Sequence, residues 1–187
     1  KGIPLKNTLA VLAILLAGMF FLPAESGGVV RLLKPSKATA VSFPNRMFFI
    51  TVGYTESQLP AVEKLAQSVT DSMFVTEPYK KKEASFDVFF FPVASPEEGL
   101  GKNLFGVFLR PDNLLDMSGE EGEWKLKNLI YSAFPDYDER KDQVVFLVNG
   151  QGASTNKGNI SFVSTHIGIY GKPVIDVIRR VIHEAGG

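Results

Sequence analysis

Apolar residues fall in short unbroken runs separated by polar turns, and two periodicities sort those runs into strands and helices. Met47 to Val52 (MFFITV) lies between Pro44-Asn45 and Gly53 and reads as a buried strand. Thr55, with Gln58 three residues on, has the form of a capping box. The helix it opens carries Val62, Leu65, Ala66, Val69 and Met73 at helical spacing and stops near Phe74, ahead of Pro78. Phe86 to Val93 is the next strand, and Pro92 places it at a sheet edge or near its own end. Asn103 to Leu109 is a short third strand or extended stretch. Ser118 and Glu121 repeat the S-x-x-E start signal before a helix with Trp124, Leu129, Ile130 and Phe134 on its apolar positions.

Gln143 to Asn149 (QVVFLVN) is the clearest strand in the chain. A polar loop, 150–158, separates it from another strand at Ile160 to Thr165. Pro173 stands where a first-turn proline belongs, and the helix after it carries Val174, Val177, Ile178, Val181 and Ile182 as one stripe. The order β-α-β-β-α-β-β-α predicts one α/β (α+β) domain over residues 45–187, with a mixed sheet packed against helices and no internal repeat.

The amino-terminal stretch is of another kind. Lys1 and Lys6 precede an apolar run from Leu9 to Leu22, and Ala24-Glu25-Ser26 is a small-x-small site. These are the three parts of a secretory signal peptide, and the run is shorter than the roughly 20 residues of a comfortable membrane span. Residues 1–26 are therefore expected to be a signal peptide or an amino-terminal anchor. An uncleaved segment would attach the protein to a membrane through residues 8–22. Residues 27–44 show no period and read as a linker. On either reading the protein is exported: secreted, periplasmic or at the cell surface. Lys1 and Gly187 make the chain read as a fragment of a longer open reading frame.

Composition narrows the chemistry. A hydrophobic fraction of 45% fits a packed domain, and a formal net charge of zero gives no electrostatic case for nucleic acid. Cysteine is absent, so a metal would need histidine and carboxylate ligands, and His166 and His183 are the two histidines available. No phosphate-binding glycine loop and no G-x-S-x-G nucleophile turn occurs. Glu97-Glu98, Glu120-Glu121 and Lys80-Lys81-Lys82 sit in polar surroundings and read as solvated surface charge. His166 has no second ligand or base near it in sequence and reads as structural.

Val181-Ile182-His183-Glu184 is the exception. A histidine followed by glutamate on an apolar helix is the first half of H-E-x-x-H. In that motif two histidines one turn apart bind zinc, and the glutamate is the general base. The dipeptide alone also fits a plainer reading, a histidine favoured near a helix carboxyl end with Gly186-Gly187 as cap. Gly187 stands where the second histidine would be.

Several stretches in one order connect this motif to a family. Ile50 to Glu56 (ITVGYTE), Glu77-Pro78-Tyr79-Lys80 with Phe86-Asp87-Val88, and Ser95 to Gly99 (SPEEG) come first. Leu104-Phe105-Gly106, Val144 to Asn149, and Val181 to Glu184 complete the series. Read together, they resemble the IgA-specific metallopeptidases, secreted zinc enzymes of the zincin type. The resemblance implies a zincin-like twisted mixed sheet backed by helices, with the zinc helix beneath it and an edge strand that takes up an extended substrate. It further implies His183 as the first zinc ligand, Glu184 as the catalytic base, Zn2+ as cofactor and a protein or peptide as substrate. The family's continuation, Gly-His and then an Asp-Glu-Tyr, does not occur here. Either a ligand follows with an extra glycine, which needs a local helix bulge, or the metal site has been lost. The chain alone is accordingly expected neither to hold catalytic zinc nor to cleave peptides. The rival expectation is an exported, non-catalytic binding or adhesion module on the same scaffold.

Overall fold

The computed structural model describes residues 28–37, 45–165 and 173–186, with the side chains of the last helix described from 177 to 183. The signal-like run Leu9–Leu22, His166 and Gly187 lie outside the described residues. Among the described residues no helix is long and apolar enough to cross a membrane.

The strands are β1 (Arg31–Lys34), β2 (Asn45–Val52), β3 (Phe86–Phe91), β4 (Val107–Leu109), β5 (Leu115–Met117), β6 (Gln143–Val148), β7 (Thr155–Lys157) and β8 (Ile160–Ser164). The helices are α1 (Leu59–Met73), α2 (Gly119–Ala133) and α3 (Pro173–Gly186). Six strands form one sheet in the order β1-β3-β2-β6-β8-β7, and β4 and β5 form a separate two-stranded ribbon. The inner four strands are parallel to one another. The two edge strands, β1 and β7, run antiparallel to their neighbours. This is the mixed sheet packed against helices that the periodicity predicts.

Both faces of the sheet are covered, which explains why its inner strands read as unbroken apolar runs rather than alternating ones. Met47 and Phe49 of β2, with Val145 and Leu147 of β6, face α1 and α3. Phe48, Ile50 and Val52, with Val144, Phe146 and Val148, face α2 and the ribbon. A one-residue slip in either strand would exchange these two sets of partners, so packing on both sides fixes the register.

Four features differ from the sequence reading, and the first is β5 (Leu115–Met117), which the sequence reading lacks. Arg31–Lys34, inside the expected linker, is an edge strand paired with β3. Its alternation is hidden by flanking cations, yet Leu33 packs on the core and the Lys34 ammonium sits 4.5 Å from the centre of the Phe74 ring. The polar loop 150–158 contains β7, whose Thr-Asn-Lys sequence carries no apolar signal because only its backbone is needed at an edge. Trp124 does not join the core; it is 64% exposed on the outer side of α2. Elsewhere the chain follows its signals. The Thr55 N–H donates to Gln58 Oε1 at 2.9 Å, the amide half of the expected box. Ser118 occupies the cap position of α2, but its side chain makes no cap hydrogen bond. β3 ends just before Pro92 and lies one strand in from the edge, so the proline marks the strand's end.

Candidate functional site

The chain leaves β2 toward β3 on one side and leaves β6 toward β8 on the other. The strand order therefore reverses between β2 and β6, the place where open α/β sheets hold ligands beyond the carboxyl ends of their strands. Here that crevice is filled by the protein's own loop after β3. The Gly99 N–H donates to the Gly53 carbonyl at 2.8 Å, and Asn149 Nδ2 reaches the same oxygen at 3.0 Å. Gly53 has φ +77°, and a Cβ there would press on the Gly99 carbonyl oxygen, so both backbone conformation and close approach require glycine. The Ser95 hydroxyl accepts from the Gly53 N–H at 3.0 Å, and Thr51 Oγ1 donates to the Val93 carbonyl at 2.8 Å. Beside this plug, at the ends of β2 and β3, opens a cleft of about 980 Å³ lined by Thr55, Ser95, Leu100, Lys102, Leu104 and Phe108 among others. It escaped the sequence reading because the loop 94–106 has no period that joins its parts; Ser95–Gly99 and Leu104-Phe105-Gly106 stand out only as segments of the family resemblance.

One lining residue is spent wholly on shape. Asn103 Nδ2 donates to the Leu100 and Val107 carbonyls at 3.0 and 2.9 Å, and its Oδ1 accepts from the Val107 N–H at 2.8 Å. A single side-chain amide thus meets both outward backbone groups of Val107 on β4.

The second candidate is α3. From Val177 on its packing stripe is as predicted, the side chain of Val174 lying outside those described: Val177 and Val181 are buried against Val145, Leu147 and Val163, with Ile178 and Ile182 half-buried beside them. The helix runs beneath β8 and touches β6, β7 and α1. Arg180 Nη1 donates to the Ser164 carbonyl at 3.0 Å, joining the helix to the end of β8. The start of the β8–α3 connection is fixed from the other side. Thr165 Oγ1 bonds the Val148 carbonyl at 2.9 Å and also the Tyr54 hydroxyl. Burial pushes the Tyr54 phenol up to about 12, against the opposing pull of its bond to Thr165.

With the packing stripe facing the sheet, His183 is turned to the opposite side of α3 and is exposed. Glu184 is the next position on the same helix, and its side chain is not among those described. Among the described residues no group of three His, Cys, Asp or Glu could hold a metal ion. His183 fits the chemistry of one donor, an accessible imidazole on a firmly packed helix, and the other donors of a zinc site would have to come from elsewhere. The acidic pairs stay on the surface as expected: Glu121 bonds Lys125 at 2.6 Å, and Glu97 lies 4.0 Å from Lys102. The 980 Å³ cleft shares no lining residue with α3, so the two candidates are separate places in the fold. No protein-family model matches this chain, and no curated protein matches it either.

Proposed function

We propose that the chain is part of an exported zinc-dependent endopeptidase, with His183 as a zinc ligand and Glu184 as general base. One observation carries this reading. α3 buries its valine stripe beneath β8 and turns His183 outward, on a helix that also touches the antiparallel edge strand β7. A metal ligand must be open to solvent yet rigidly based, and an extended peptide needs a strand edge to lie against. The ordered resemblance from Val52 to Glu184 supports the same assignment.

A bound zinc ion supplies polarisation of the scissile carbonyl and a water more easily deprotonated. The chain's own part is smaller and definite. His183 holds the metal through an imidazole nitrogen. Glu184 accepts the proton of the attacking water and returns it to the departing amine.

The test is made on the protein encoded by the whole reading frame. We expect about one zinc per chain and casein hydrolysis abolished by a chelator. Glu184→Gln should keep the zinc and lose at least about 100-fold in rate, the usual scale of a general base. A zinc-free protein that binds peptides without cleaving them would leave the binding module in its place.

A further inference from the structure

We infer that Asn149-Gly150 is a self-modifying site, at which deamidation of Asn149 releases the loop that fills the crevice between β2 and β6. Among the chain's asparagines, Asn149 alone is followed by glycine. That neighbour matters because the reaction is an attack by the next residue's backbone nitrogen on the side-chain amide carbon. Glycine has no Cβ to obstruct the closing ring, and the two reacting atoms are already held close by the chain. The Gly150 N–H makes no hydrogen bond among the described residues, so the attacking atom is not tied up. Both residues are half-buried and within reach of water.

The step balances with water alone. Hydroxide removes the proton of the Gly150 N–H, the nitrogen bonds to Cγ of Asn149, and the Cγ–Nδ2 bond breaks. Nδ2 leaves as ammonia, taking a proton from water, and a cyclic imide remains. Water then opens the imide at either carbonyl, leaving aspartate or isoaspartate at 149.

The exchange falls where the loop is tied to the sheet. Asn149 Nδ2 donates to the Gly53 carbonyl at 3.0 Å and to Glu98 Oε1 at 3.3 Å. A carboxylate has no proton to give, and in the same place it faces a carbonyl oxygen and a second carboxylate. Isoaspartate adds a further strain, because it threads the side-chain carbon into the main chain beside the N–H that donates to the Val52 carbonyl at 2.9 Å. Glu98 and Gly99 belong to the loop, and the Gly99 N–H shares the Gly53 oxygen with Asn149. The repulsion therefore acts on the loop itself. Ser95 and Leu100 of the same loop line the 980 Å³ cleft, so its release reshapes that cleft.

The experiment ages the full-length protein in mildly alkaline buffer. Peptide mapping by mass spectrometry reads each asparagine, and hydrogen exchange reads the loop. We expect Asn149 to convert before any other asparagine, at a rate proportional to hydroxide concentration. Exchange at Gly99 should quicken about tenfold in converted molecules, the scale of one hydrogen bond turned into a repulsion. Asn149→Asp should show the same exchange without ageing, and Asn149→Ala, which loses the donor without adding charge, a smaller increase. Glu98→Gln added to Asn149→Asp should restore part of the protection, since its amide can donate to the new carboxylate. Earlier conversion of another asparagine, or wild-type exchange at Gly99 in Asn149→Asp, would overturn the inference. Neither readout depends on zinc or on peptide hydrolysis, so the peptidase reading stands or falls separately.

Discussion

At the amino ends of the central strands the sheet is closed by charge; at their carboxyl ends it is closed by neutral hydrogen bonds. At the first end, Asp142 is almost wholly buried and accepts from Arg46 through its backbone N–H, Nε and Nη2, and from the Asp138 N–H. The Arg46 guanidinium also bonds Asp136 at 2.7 Å and lies over the Phe134 ring. Burial works against the charge of Arg46, but its bonds to Asp142 and Asp136 prevail and hold its pKa above the ordinary value. At the other end Thr51, Ser95, Asn149 and Thr165 make the ties, and none of these titrates. A buried ion pair fails badly when one member is removed, whereas neutral ties are lost one at a time. The 980 Å³ cleft opens at the neutral end, where the chain also departs toward α3, while a smaller one of about 520 Å³, lined by Arg46, Phe134, Asp136 and Asp142 among others, lies at the charged end.

Three measurements probe this contrast. The largest effect should come from Asp142→Ala, which leaves the Arg46 guanidinium without its main partner. We expect a loss of about 3–5 kcal/mol in urea unfolding; a loss under about 1 kcal/mol would mean that the charged end is not the firmer one. Gly53→Ala attacks the neutral end by forcing a Cβ into a left-handed position against the Gly99 carbonyl. About 2–3 kcal/mol should be lost there, with the loop 95–101 released from protection against hydrogen exchange before the strands.

The smallest effect concerns acid. The hydrogen bond from Arg46 holds the Asp136 carboxyl below its usual range, so its contribution is present above the unfolded value of 3.8 and fades as pH falls through the lower folded value. Its side chain is 70% exposed, so solvent screening keeps the contribution under about 1 kcal/mol. Stability curves of the wild type and Asp136→Asn should therefore converge at the acid end and run parallel from pH 5 to 8. Divergence within that window would mean that Asp136 is coupled to a second titrating group, and its assignment as a simple partner of Arg46 would fall.

What the sequence made legible follows from which forces leave a trace in residue type. β2, β3 and β6 were readable because both faces of each are buried, and α3 because its valines and isoleucines recur at helical spacing. β1 and β7 are only four and three residues long and are held largely by backbone pairing, which any residue with an N–H can supply; β5 buries Leu115 and Met117 but, at three residues, is too short to show a period. Trp124 misled because aromatic character was taken as a sign of burial, when its turn of α2 faces solvent. At the candidate site, sequence singled out His183 and Glu184, and the fold adds that His183 faces away from the core.

The amide of Asn103 has a consequence for the company the molecule keeps. A two-stranded ribbon standing outside the main sheet would ordinarily offer its free margin to any passing extended chain, including another copy of itself. With both outward groups of Val107 already engaged, a newcomer cannot pair along the whole of β4, although Phe108 and Leu109 beside it are 40% and 41% exposed. One side chain thus lets the ribbon display Phe108 at the mouth of the cleft while shortening the free edge on which a fibre could grow.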